Sequence, residues 1–227
     1  MQSLRQDELN KLRRELTLMH AEVAENLGKS IVILKTGDTD LAAGVKKTGK
    51  KIDEMQLMID DMALAYIATQ HPVARDLREL VTVFKLTLNL ERIDDYVVHL
   101  AKAAKKLSGR PSIRSMDRIR RMAETGQAML KAAFAAYLEQ NMDGARTSAA
   151  MDESIDSEHK ALTDEVLAFI KNNPKQVKAA ARLLRLSGYM ERLGDHITNI
   201  CEGIVFICKG SHEDLNQVKK GKGKDGD

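Results

Sequence analysis

Apolar residues recur at intervals of three and four along almost the whole chain, and that spacing commits it to helices. Leu9, Leu12, Leu16, Met19, Val23, Leu27 and Ile31 mark one face of a long first helix, closed by the turn signal Thr36-Gly37-Asp38. A second helix carries Val45, Ile52, Met55, Ile59, Met62 and Tyr66. It stops at His71-Pro72, because a residue before proline avoids the α region. The third runs from about Val73 to Leu107 on Val83, Leu86, Leu90, Ile93, Val97, Leu100 and Ala104, with Ser108-Gly109-Arg110-Pro111 as the break. A fourth reaches about Leu138, and a turn falls at Asn141 to Gly144. A fifth then carries Met151, Ile155, Leu162, Val166 and Phe169 as far as Asn172-Asn173-Pro174. The sixth holds Leu183, Leu186, Met190, Leu193, Ile197, Ile200, Ile204 and Ile207 and ends at Gly210. The tail from Asn216, dominated by Lys and Gly, is expected to be disordered.

Composition agrees with this reading. Apolar residues make up 43% of the 227, ample for a core, while 4% aromatics, no Trp and three Pro disfavour a sandwich or barrel. No run of about 18 apolar residues exists, and the charged N-terminal stretch lacks an apolar signal region. The expectation is a cytoplasmic protein, peripheral to a membrane at most. A net charge of +3, from 36 basic and 33 acidic residues, is too balanced to indicate nucleic acid, and no DNA-docking motif is present. Cys201 and Cys208 are two helical turns apart, about 10 Å. That exceeds the roughly 7 Å a disulfide tolerates, so both are expected to be reduced.

The chain also repeats itself. Leu90-Glu91-Arg92-Ile93-Asp94-Asp95 matches Met190-Glu191-Arg192-Leu193-Gly194-Asp195 at an offset of 100. Ile52-Asp53 matches Ile155-Asp156, and His71-Pro72 matches Asn173-Pro174, at offsets of 103 and 102. The expected architecture is all-α: two tandem three-helix bundles, 1–108 and 109–215, with long helices in near-parallel packing.

Acid pairs accompany the repeat. Glu91 and Asp95, Glu191 and Asp195, and Asp152 and Asp156 are each four apart, hence one turn apart on one helix face. Each pair begins one residue after a core-stripe residue, Leu90, Met190 or Met151, which places it at the edge of the apolar face. Like charges so placed repel and need compensation. Arg92 and Arg192 are adjacent in sequence but are not expected to face their neighbours. A hard divalent or trivalent cation is the other solution. Asp53 is the first unit's match to Asp156, and Gly49 stands where Asp152 would fall.

At these residues the sequence resembles the PhoU family of phosphate-signalling regulators. The resemblance rests on the doubled Glu-Arg-hydrophobic-Gly-Asp element, Glu91 to Asp95 and Glu191 to Asp195. Pro72-Val73-Ala74-Arg75-Asp76-Leu77-Arg78 and Asp195-His196-Ile197-Thr198-Asn199-Ile200 add to it. It covers residues from about 50 to 210. It implies a non-enzymatic negative regulator that couples a phosphate ABC transporter to a sensor histidine kinase when phosphate is plentiful, expected here as a homodimer. It also implies metal ions, such as iron, zinc, manganese or magnesium, held by Glu91, Asp95, Asp152, Asp156, Glu191 and Asp195, with Asp53 in support. Two positions depart from the family pattern: Asp94 replaces its glycine and Gly49 its acid.

Three further readings follow from the residues. Arg110, Arg114, Arg118 and Arg121 form a basic stripe early in the fourth helix, a candidate partner or anion surface. A ferritin-like di-metal oxidase would need two Glu-x-x-His elements on two helices, and only Asp156 with His159 approaches one. A helical adaptor serving another complex, with cross-helix Arg or Lys in place of metal, is the remaining alternative.

Overall fold

The computed structural model describes residues 2–107 and 113–216, with side chains over 6–104 and 116–216. It consists of α1 (Gln2–Thr36), α2 (Thr39–Gln70), α3 (Ala74–Leu107), α4 (Ile113–Glu139), α5 (Met142–Ala150), α6 (Asp152–Asn172) and α7 (Val177–Lys209). A short 3₁₀ turn, Pro174–Gln176, precedes α7. Among the described residues there is no strand. The expected break at Ser108–Pro111 and the tail beyond Asn216 lie outside the described residues.

The helix ends have local causes. The Asp38 carboxylate accepts from the backbone N–H groups of Asp40 and Leu41, both at 2.9 Å, and so caps α2. Asn141 caps α5 through Gly144 N–H at 2.9 Å. The expected turn at Asn141 to Gly144 is therefore narrower, and Gly144 is already helical. Gly210 closes α7 at φ 79°, a left-handed angle that a side chain resists.

One helix differs from expectation. The fifth is interrupted at Met151, where two i→i−3 hydrogen bonds, Met151 N–H to Ser148 and Ser154 N–H to Met151, tighten the turn. Met151 keeps right-handed angles (φ −66°, ψ −21°), so α5 and α6 serve together as the counterpart of α2.

Helices α1, α2 and α3 pack on one another, and α4, α5–α6 and α7 do the same. The α1 stripe from Leu9 to Ile31 is buried throughout, and it joins the α7 stripe in one continuous core. The units meet where α3 packs on α7 and α1 on α4. A Cβ at Gly203 on α7 would lie 2.8 Å from Thr82 Cγ2 on α3, so glycine there permits the close approach. Arg13 on α1 clasps the buried Glu79 on α3 with two hydrogen bonds of 2.6 Å. The Tyr137 hydroxyl of α4 donates to the same carboxylate at 3.4 Å. His20 on α1 stacks on Phe134 of α4 with ring centroids 3.9 Å apart.

Candidate functional site

The duplicated element repeats in burial as well as in sequence. From 91 to 100 and from 191 to 200 each residue has the same degree of exposure as its counterpart. Glu91, Asp95, Glu191 and Asp195 are half-buried at the edge of the apolar face, as the phase requires, and Asp53 and Asp156 are exposed. Asp152 departs from this: it is completely buried, deeper than the edge position expected for it.

The two departures from the family pattern prove to be neighbours. A Cβ at Gly49 on α2 would lie 2.9 Å from Asp94 Oδ2 on α3. In the second unit a Cβ at Gly194 on α7 would overlap Asp152 Oδ1 on α6. Each unit therefore sets one buried carboxylate against one glycine, with the two residues exchanged between helices. The sequence contained both halves of this exchange, at offsets of 100 and 103, but only a cross-helix contact joins them.

The hydrogen bonds around this point are exchanged too. Asn26 on α1 donates to the Val45 carbonyl of α2 at 3.2 Å and to Asp94 Oδ1 at 2.8 Å. In the second unit Ser148 on α5 donates to the Met129 carbonyl of α4 at 2.9 Å. Thr198 reaches Asp152 Oδ2 at 3.5 Å. Residues 26 and 129, and 45 and 148, are repeat equivalents at an offset of 103, so the same cross-helix bond runs in opposite directions.

The acids of the first unit act on one another. Burial pushes Asp94 up to about 7 against the Asn26 hydrogen bond, with the charges of Asp53, Asp95 and Glu91 adding to the rise. Glu91 is raised by burial and by Asp95, and Asp53 by burial and by Asp95. Arg92 relieves this crowding, contrary to the expectation that a helix neighbour could not. Its Nε lies 3.3 Å from Glu91 Oε2 and its Nη1 3.6 Å from Asp95 Oδ2. A long, flexible side chain can fold back over its own turn, which Cβ directions alone do not reveal.

Among the described residues no three His, Cys, Asp or Glu side chains converge closely enough to hold one metal ion. The carboxylates are suitable hard donors, and in the first unit Arg92 lies against the oxygens of Glu91 and Asp95. The histidine beside the second pair, His196, instead bonds through Nδ1 to Asn89 Oδ1 of α3 at 2.7 Å. His159, the one histidine with an acid three residues before it, meets Ser187 Oγ at 2.7 Å.

The basic stripe is committed internally where it is described. Arg118 reaches Glu158 and Glu165, each at 2.6 Å, and Arg121 reaches Glu158 at 2.9 Å. The side chains of Arg110 and Arg114 lie outside the described residues. The two thiols are free, Cys201 buried and Cys208 half-buried.

What these features define is a duplicated three-helix bundle with one acid-edged element per copy. The PhoU domain model matches the chain twice, over residues 16–104 and 119–204. A phosphate-specific transport system accessory protein PhoU homologue of Clostridium acetobutylicum is 32% identical over 212 residues, spanning 93% of this chain and 97% of that relative. The homologue of Caulobacter vibrioides is 31% identical over 90% of this chain and 89% of its own length. In structure, PhoU from Pseudomonas aeruginosa superimposes with a TM-score of 0.86 at 26% identity, over 91% of this chain and 99% of that one. The phosphate transport system regulatory protein PhoU from Streptococcus pneumoniae gives 0.85 at 25% identity, over 92% and 99%. The chain belongs to the PhoU family.

Proposed function

We propose that this protein is the accessory regulator of a phosphate-specific transport system. It binds the cytosolic component of the phosphate ABC transporter, communicates with a sensor histidine kinase, and silences the phosphate-starvation response when phosphate is plentiful. The observation that carries this reading is the double match of the PhoU domain across both units, with a relative of that description aligned over nearly its whole length. No helix among the described residues is long and apolar enough to cross a membrane. Nothing in the reading requires catalysis. Deletion of the gene should switch on a phosphate-starvation reporter in phosphate-rich medium, and expression from a plasmid should silence it again. A reporter that stays off in the deletion strain would overturn the regulator role.

The metal part of the reading rests on donor type alone. Glu91, Asp95 and Asp53 in the first unit, and Asp152, Asp156, Glu191 and Asp195 in the second, are the oxygen donors for iron, zinc, manganese or magnesium. Elemental analysis of the purified protein, with Glu191→Ala/Asp195→Ala as the control, tests it. Light scattering tests the homodimer.

A further inference from the structure

Helices α3 and α7 run antiparallel: Asn89 meets His196, Tyr96 meets Tyr189, and His99 meets Tyr189. With a repeat offset of 100, the contact of 89 with 196 and that of 96 with 189 are equivalents about a quasi-two-fold axis. Every position of this helix pair on one side of the axis therefore has an equivalent position on the other.

On one side lies an open cleft of about 290 Å³ lined by His99, Lys102 and Ala103 of α3 and Arg182, Arg185 and Tyr189 of α7. It holds three cationic side chains and no carboxylate. Its counterpart consists of Thr82, Lys85 and Asn89 with Asn199, Glu202 and Gly203. There Gly203 packs directly on Thr82, and Glu202, which stands where Lys102 does, feels the charge of Lys85. One side brings the two helices into close contact at Gly203 and carries both signs of charge. The other is open and purely basic.

The arginines also contrast with those of α4. Arg118, Arg120 and Arg121 each hold a carboxylate, whereas Arg182, Arg185 and Lys102 have no ion-pair partner among the described residues. The stretch 105–115, whose side chains are not described, contains no acid that could supply one. Arg182 and Arg185 are three apart on one helix face, where like charges repel. His99 Nδ1 donates to the Asp95 carbonyl oxygen at 2.6 Å, which fixes the ring and leaves Nε2 as its remaining polar atom. Two guanidinium forks, an ammonium and an anchored imidazole are a donor set for an oxyanion with several acceptor oxygens.

We propose that this cleft binds a phosphoryl group, carried by inorganic phosphate or by a nucleotide. The site is independent of the transporter-accessory reading, because its test uses purified protein alone. Calorimetric titration of the full chain at low ionic strength, in EDTA, with inorganic phosphate and with ATP should show saturable binding of at least one. Arg182→Gln/Arg185→Gln should weaken that binding about tenfold or more. Lys102→Gln should weaken it from the α3 side. Arg118→Gln/Arg121→Gln, outside the cleft, should leave it unchanged. Equal binding of both probes assigns the phosphoryl group alone, and binding of ATP only adds recognition by the Tyr189 wall. The proposal is overturned if neither probe binds saturably, or if the cleft variants, with unchanged melting temperatures, bind as the parent does.

Discussion

In the first unit a carboxylate on the third helix fills the space over a glycine on the second. In the second unit the carboxylate belongs to α6 and the glycine to α7. The hydrogen bond beside it is likewise reversed, from Asn26 to a carbonyl of α2 in one unit and from Ser148 to a carbonyl of α4 in the other. The comparison teaches that the helix crossing, not the sequence position, demands one acid and one small residue. Either helix can supply either part, provided both change together. The surroundings are not equal, however. Asp94 has Asn26 as a close donor at 2.8 Å, whereas Thr198 stands 3.5 Å from Asp152.

The fit is also tighter in the second unit, and substitutions should reveal it. Gly194→Ala would overlap the Asp152 carboxylate and force it to move, and should cost about 3 kcal/mol, net of the better helix propensity of alanine. Gly49→Ala meets Asp94 at 2.9 Å and should cost about 1 kcal/mol. Urea unfolding of the two variants compares them directly. Asp152→Gly/Gly194→Asp, which copies the first unit's arrangement into the second, should recover most of the loss seen in Gly194→Asp alone. Equal costs at the two glycines would show that Asp152 yields freely and that the crossing does not depend on it.

A second contrast concerns ion pairs. The first unit ties α1 to α3 through Arg13 and Glu79, whose carboxylate is only 2% exposed; the second ties α4 to α6 through Arg118 at the surface. Arg13→Ala strands a buried charge beside Tyr137 and should cost about 2 kcal/mol or more, less than a fully enclosed pair because Arg13 itself is partly exposed. Arg118→Ala should cost less than about 1 kcal/mol. The same denaturation series measures both.

The third contrast depends on pH. His20 in α1 has Ala123 as its repeat equivalent, so only the first unit carries this group at that position. Burial pushes its imidazole down to about 4, against a hydrogen bond to the Leu130 backbone. The unfolded chain takes up this proton below its ordinary value of 6.5, while the folded chain does so only near 4. His20 therefore contributes full stability above about pH 6.5, and that contribution is lost as pH falls toward 4, by on the order of 3 kcal/mol. His20→Leu should flatten that part of the acid limb in melting scans between pH 4 and 7. An unchanged limb would place the loss on other groups.

These contrasts mark what one sequence discloses and what it withholds. The α1 and α7 stripes were legible because burial follows a single helix's own period, and the doubled acid element was legible because its parts lie within six residues. The exchange of Asp94 and Gly49 for Gly194 and Asp152 read as a defect in the repeat, since its compensation runs between helices. The reach of Arg92 was hidden by treating side chains as short vectors. The basic cleft left no signal at all: Lys102 and Arg182 are 80 residues apart and meet only through the antiparallel docking of α3 on α7.

The smallest expected effect concerns Arg92 itself. It is exposed, and its two ion pairs stretch to 3.3 and 3.6 Å, so Arg92→Ala should change stability by less than about 0.5 kcal/mol. Its value lies in the response to cations. Arg92 and a hard cation would compete for the same oxygens of Glu91 and Asp95. If the first acid pair takes up metal, manganese should therefore raise the melting temperature of Arg92→Ala more than that of the parent. Arg192→Ala provides the matching measurement in the second unit. A larger manganese response at 92 than at 192 would assign metal competition to the first unit, where Arg92 bridges the pair. Equal responses at both positions, indistinguishable from the parent's, would mean that arginine and metal do not share these carboxylates, and that Arg92 alone balances the charge Glu91 and Asp95 bring to the edge of the core.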